Sequence, residues 1–169
     1  KRLGDAHQQL LKKHAGLGLI LVGRKNTSAR MNEEYFTKNN YTNIIFTDFI
    51  DDAQRDWLFT HCDAYGFPSL MEGFGLPGLE AMGYGAPVVS SNTTCLPEVY
   101  GDAAHYFDPY NSDDIARAID DVLSNEVLRI SIVKKCYLQI QKYSGQRLAK
   151  QTHQGYMEVQ NKNYLLPLC

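Results

Sequence analysis

No stretch of this 169-residue chain approaches the roughly 18 consecutive apolar residues that would span a bilayer. Its start also lacks the charged, apolar and small-residue succession of a secretory signal. The expectation is a soluble, cytoplasm-facing protein, peripheral if it meets the inner face of a membrane at all. Charge of one sign is missing too: 17 Lys and Arg stand against 19 Asp and Glu, for a net charge of −2 and no basic run. Nucleic acid is therefore not an expected partner. Cysteine is sparse. Cys62, Cys95, Cys136 and Cys169 form no C-x-x-C pair, which argues against both a zinc site and a disulfide framework, and the first three read as buried or incidental thiols. His7, His14, His61, His105 and His153 have no nucleophile or metal ligand beside them, so none is expected as a catalyst. No G-x-G-x-x-G follows a strand, which disfavours a dinucleotide-dependent oxidoreductase. Asp51-Asp52, Asp113-Asp114 and Asp120-Asp121 fall at expected helix starts or faces, where solvated charge is the ordinary explanation, and no metal is assigned.

What the chain does have is Pro68-Ser69-Leu70-Met71-Glu72-Gly73-Phe74-Gly75-Leu76-Pro77-Gly78-Leu79-Glu80-Ala81-Met82. A strand-length run from Asp63 ends at Pro68. Leu76-Pro77 suits the first turn of a helix, where a missing amide hydrogen costs nothing. Gly73 and Gly75 between them permit backbone conformations closed to other residues and a close approach to a ligand. The unpaired amides and dipole of such a helix start favour phosphate. Glu72 in the turn and Glu80 one turn into the helix would repel phosphate but accept from hydroxyls on either side of it. Ribose, pyrophosphate and hexose together describe a nucleotide sugar.

Glu72 to Glu80 resembles the E-x7-E signature of retaining glycosyltransferases with the GT-B fold, family 4 in particular. The likeness continues through Glu80 to Asn92 and Leu96 to Ala104 and ends near Phe107-Asp108-Pro109, about forty residues in one order. The resemblance implies that Glu72 contacts sugar hydroxyls of the donor, that Glu80 holds the ribose diol, and that Gly73, Phe74, Gly75 and Leu76 give backbone contacts to sugar and phosphates. It suggests Phe49 and Ile50 for the nucleobase. It implies no cofactor and no metal, with a nucleoside diphosphate sugar as substrate: GDP-mannose first, a UDP-sugar second.

The elements read from periodicity alternate. Helices are expected over Asp5–His14, Thr27–Asn39, Asp51–His61, Leu76–Tyr84, Leu96–Tyr100, Asp113–Leu123 (with Ser112 as its cap), Glu126–Gln141 and Gly145–Gln160. Strands are expected over Leu17–Gly23, Asn43–Thr47, Asp63–Pro68, Pro87–Ser91 and His105–Phe107. The pattern predicts an α/β fold, a Rossmann-like parallel sheet with helices on both faces and a ligand crevice at the carboxyl ends of its strands. Residues 1–160 form the donor-binding domain and 161–169 a tail, which is either disordered or, as the resemblance implies, crosses back to a first domain.

Two departures from the family stand out. Its donor domains begin with a strand that precedes Lys1 here, along with an arginine and a lysine that neutralise the diphosphate; Lys1 and Arg2 are the candidates for a remnant of that basic element. Loss of a central strand would leave unpaired edges on both neighbours. At Tyr143-Ser144-Gly145, many relatives carry tryptophan at the last position. Gly78 is also unusual, since glycine early in a helix costs about 1 kcal/mol against alanine; a close approach of another element would explain it.

The resulting expectation is the donor half of a hexosyltransferase in polysaccharide assembly, inactive alone, with a missing N-terminal acceptor domain and a glycan or lipid-linked acceptor. The alternative is a non-catalytic nucleotide-sugar binding or interaction module. A glycoside hydrolase also uses two carboxylates, but their placement across a parallel-sheet turn and helix argues against it.

Overall fold

The computed structural model describes residues 1–161; most of the expected tail lies outside them. Five short parallel strands alternate with helices: α1 (Arg2–Leu10), β1 (Leu19–Leu21), α2 (Thr27–Lys38), β2 (Ile44–Phe46), α3 (Asp52–His61), β3 (Tyr65–Phe67), α4 (Leu76–Gly83), β4 (Val88–Ser91), α5 (Leu96–Tyr100), a 3-10 turn (Gly101–Ala103), β5 (Ala104–Phe107), α6 (Ser112–Ser124), α7 (Glu126–Ile140) and α8 (Gly145–Asn161). The α/β, Rossmann-like reading holds.

Local chemistry accounts for the boundaries. Asp51 accepts from the Gln54 amide at 2.8 Å while the Gln54 side chain accepts from the Asp51 amide at 3.1 Å, a reciprocal cap that starts α3. The cap of α6 is Asn111 rather than the expected Ser112: its Oδ1 accepts from the amides of Asp113 and Asp114. Asparagine reaches those donors from the extended conformation a cap requires. Helix α1 begins at Arg2, three residues before the expected start, with Lys1 as its N-cap. Gly4 lies against the Phe36 ring of α2, where a side chain would collide.

The strands form two parallel sheets rather than one continuous sheet. β1 pairs with β2, in register Leu19 to Ile44 and Leu21 to Phe46, and β3, β4 and β5 pair in that order. β1 and β3 each keep one edge without a strand partner among the described residues. Helix α1 connects the halves: its His7 Nε2 lies 3.0 Å from the Leu17 carbonyl that leads into β1, Leu3 lies against Gly66 of β3, and Gln9 donates to Asp113 of α6 at 2.8 Å. The core centres on β4, all four residues of which are buried, with Met82 of α4, Leu96 and Tyr100 of α5, Phe107 of β5, Ile115 and Val122 of α6, and Cys136 of α7 around it. A strand buried along its whole length needs cover on both faces; helices α4, α6 and α7 pack against it.

Candidate functional site

The carboxyl end of β3 runs through Pro68 into a loop that ends at Gly75, the residue before α4. Gly75 has φ 85°, in the left-handed region, and a side chain there would come within 2.5 Å of Leu96 and of the Tyr100 hydroxyl. Tyr100 is wholly buried and donates to the Gly75 carbonyl at 2.6 Å. The same ring lies against Gly78, so α4 starts on top of a phenol and the early helical glycine has its reason. Gly73 has no such need; its surroundings are open. No side chain caps α4 and Pro77 occupies its first turn, so the helix start presents backbone amides to whatever lies beyond.

Glu72 is half-buried in this loop. Ser69 Oγ donates to its Oε1 at 2.8 Å, its amide donates to Thr94 Oγ1 at 3.4 Å, and its carbonyl accepts from Cys95 Sγ at 3.3 Å. Glu80 is exposed one turn into α4. Both carboxylates act on one group: burial first, then the charge of Glu80 and, more weakly, of Glu72 push the Tyr65 phenol well above its ordinary range. In the chain the two glutamates stand on either side of the helix start, Glu72 in the loop before it and Glu80 within α4. Phe74 and Leu76 are exposed, and Phe74 meets Tyr143 edge to face, with ring centroids 5.4 Å apart. At the Tyr143-Ser144-Gly145 departure, then, it is tyrosine that packs on the site loop.

The remaining predicted residues lie on other loops. Phe49 is 67% exposed with the Arg24 guanidinium over its ring at 5.6 Å. The turns after β1 and β2 that carry these two are tied by a Gly23 to Asp48 bridge and by the Lys25 amide donating to Asp48 at 2.9 Å. Ile50 lines a shallow hollow of about 490 Å³ with Trp57 and Leu58. Lys25 pairs with Glu33 at 2.9 Å rather than standing free. The Lys1 ammonium lies over Tyr35 at 4.9 Å and the Arg2 guanidinium over Tyr110 at 5.3 Å. Since Tyr110 follows β5, α1 starts at the carboxyl ends of the strands, the end that also carries Glu72. Among the described residues no hydrogen bond or ion pair joins Lys1, Arg2, Phe49 or Ile50 to the Glu72 loop, which stays an open floor; a second hollow of about 610 Å³ lies between α1 and α6 and also excludes both glutamates. No three His, Cys, Asp or Glu side chains among the described residues cluster as a metal cage, and no described helix is long and apolar enough to cross a membrane.

Sequence reasoning missed Ser69, Thr94, Cys95 and Tyr100. Cys95 in particular is not incidental, because its thiol is a donor to Glu72. The available signal was Ser90-Ser91-Asn92-Thr93-Thr94-Cys95, a dense run of short polar side chains at the end of a buried strand and just past it.

Residues 1–139 match the sequence profile described as "Glycosyl transferases group 1". The serotype-specific mannosyltransferase WbdA of Escherichia coli is 37% identical over 116 residues, which is 69% of this chain and 14% of that enzyme. Among solved structures, the C-terminal domain of LpcC, a glycosyl transferase group 1 family protein of Francisella tularensis, superimposes with a TM-score of 0.72 at 26% identity, covering 83% of this chain and 76% of that one. Anabaena HepE in complex with UDP superimposes with a TM-score of 0.81 at 21% identity, over 93% of this chain and 44% of that one, and so speaks to fold alone.

Proposed function

Because the chain belongs to the group 1 glycosyl transferases, we propose that it is the donor-binding part of a longer retaining hexosyltransferase that moves a hexose from a nucleoside diphosphate sugar to a glycan or lipid-linked acceptor, at the cytoplasmic side of a membrane. The observation that carries this reading is the uncapped start of α4 between two carboxylates, at the carboxyl end of a parallel strand. Glu72 accepts from the hexose hydroxyls and Glu80 from the ribose diol. Amides of Gly73, Phe74, Gly75 and Leu76 face the phosphates, with Phe49 and Ile50 at the base and Lys1 and Arg2 at the diphosphate. In the reaction the bond from the anomeric carbon to the phosphate oxygen breaks, its electron pair leaves on the diphosphate, and the acceptor oxygen bonds to the same face of the sugar as its proton passes to the departing diphosphate. Helix-start amides stabilise that leaving charge, and grip on base and ribose orients the anomeric carbon. GDP-mannose ranks first because of the likeness to a mannosyltransferase, and UDP-sugars second.

The chain spans 14% of WbdA, and in this reading an acceptor domain and a further strand come from the longer protein. β1 and β3 each keep an edge without a strand partner among the described residues, and that edge together with the start of α1 at the carboxyl end of the strands fits one parallel strand leading into Lys1. Alone, the chain binds donor weakly and transfers nothing. The test is calorimetric titration of GDP-mannose, UDP-glucose and UDP-N-acetylglucosamine, with Glu80→Ala as control. One donor is expected to bind selectively and to lose about tenfold or more in the variant, as expected when a buried hydroxyl loses a charged acceptor. A folded sample that binds none of them, before and after the upstream polypeptide is restored, sinks the reading.

A further inference from the structure

The side chains that follow β4 converge on a single loop. Ser91, fully buried at the end of the strand, donates from Oγ to the Ser69 carbonyl at 2.6 Å, and Thr93 Oγ1 reaches the same oxygen at 3.2 Å. The next two residues take hold of Glu72 itself: Thr94 Oγ1 at its amide and Cys95 Sγ at its carbonyl. The carboxylate of Glu72 is in turn held by the hydroxyl of Ser69, whose carbonyl Ser91 and Thr93 secure. Thr94 has φ 54°, a left-handed conformation that a β-branched residue adopts only where its surroundings impose it. That conformation is what places a hydroxyl and a thiol from adjacent residues at the two ends of one residue's backbone.

We infer that Thr94 and Cys95 are positioning residues for Glu72, fixing the backbone from which its carboxylate projects so that the sugar of a donor meets a preorganised acceptor instead of a loop that must be ordered on binding. The inference rests on the donor-site reading above. In that reading Glu72 serves the hexose and other groups serve the nucleotide. Loosening the clamp therefore weakens the whole nucleotide sugar more than the bare nucleoside diphosphate, which meets only the loop amides and not the Glu72 carboxylate, a split that a general loss of structure does not produce.

The experiment uses the full chain and two readouts. Cys95→Ala removes the thiol without touching the backbone, Cys95→Ser restores a donor, and Thr94→Gly removes the hydroxyl where Thr94→Ser keeps it. Amide hydrogen exchange is expected to rise about tenfold in residues 71–75 of Cys95→Ala and Thr94→Gly, with β4 unchanged, in keeping with the loss of one modest hydrogen bond. Calorimetry is expected to show a similar loss for the nucleotide sugar, a clearly smaller one for its nucleoside diphosphate, and recovery in the two serine variants. Unchanged exchange overturns the clamp. Equal losses for donor and bare diphosphate overturn the positioning role. A wild-type chain that exchanges as expected but binds no nucleotide sugar, before and after the upstream polypeptide is restored, overturns the donor reading and the positioning role together, while the exchange result still decides the clamp.

Discussion

The two sheets are written in similar residues and buried to different extents. β4, with the sequence Val-Val-Ser-Ser, is bonded on both edges and buried throughout, whereas β1 and β2, Leu-Ile-Leu and Ile-Ile-Phe, leave Ile20 42% and Ile45 57% exposed. Apolarity alone would rank them the other way. A parallel strand is buried by its neighbours: it needs a bonded strand on each edge and a helix on each face. β4 has all of these, whereas β1 and β2 each have a strand partner on one edge only among the described residues.

Met82→Ala should test the buried half most severely. Met82 has no exposed surface, and its truncation is expected to cost about 2–5 kcal/mol in urea unfolding; a loss below about 1 kcal/mol would break the comparison. Gly78→Ala comes next. Helix propensity favours alanine by about 1 kcal/mol, but the new methyl meets the buried Tyr100 ring, and overpacking of about 1–3 kcal/mol wins. The expected outcome is a lower urea midpoint, and an unchanged or raised one would show that Tyr100 yields.

A third prediction concerns the helix between the halves. His7 is buried, its Nε2 meets the Leu17 carbonyl and its Nδ1 faces the Gln8 amide nitrogen at 3.0 Å, an arrangement that suits a neutral ring with its proton on Nε2. Burial lowers its pKa from the ordinary value, with the Leu17 bond opposing. The unfolded chain therefore binds a proton at higher pH than the folded one. This contribution to stability is fully present above the unfolded value of about 6.5 and declines as pH falls through the folded one, by at most about 1.4 kcal/mol per pH unit. Unfolding followed across that window should slope downward with acid and flatten in His7→Gln. The smallest effect belongs to Ile45→Ala, within about 0.5 kcal/mol. A large loss there would mean that the open sheet is held more firmly than its exposure shows.

The strand, glycine turn and helix around Glu72 were legible because each signal is local: Pro68 stops, Gly75 turns and Pro77 starts. Element order was legible for the same reason, and the Asn111 cap was missed by one residue because asparagine and serine serve that position equally well. The division into two sheets was legible only in part. An unpaired edge can be anticipated from a missing strand, but pairing is a long-range fact. Cys95 and Tyr100 were misread or overlooked on the same ground, since their partners lie 23 and 25 residues away. The roles assigned to Phe49, Ile50, Lys1 and Arg2 came from resemblance and stay proposals.

The phenol beneath α4 also constrains the history of this sequence. Gly75, Gly78 and Tyr100 share one volume, so replacements there are not independent: an alanine at position 78 is costly beside tyrosine and becomes tolerable once position 100 has shrunk. The reverse order opens a void under the turn that bears the two carboxylates. Each first step away from this arrangement therefore carries a cost, and related chains with a residue larger than glycine at 78 should lack a bulky ring at 100.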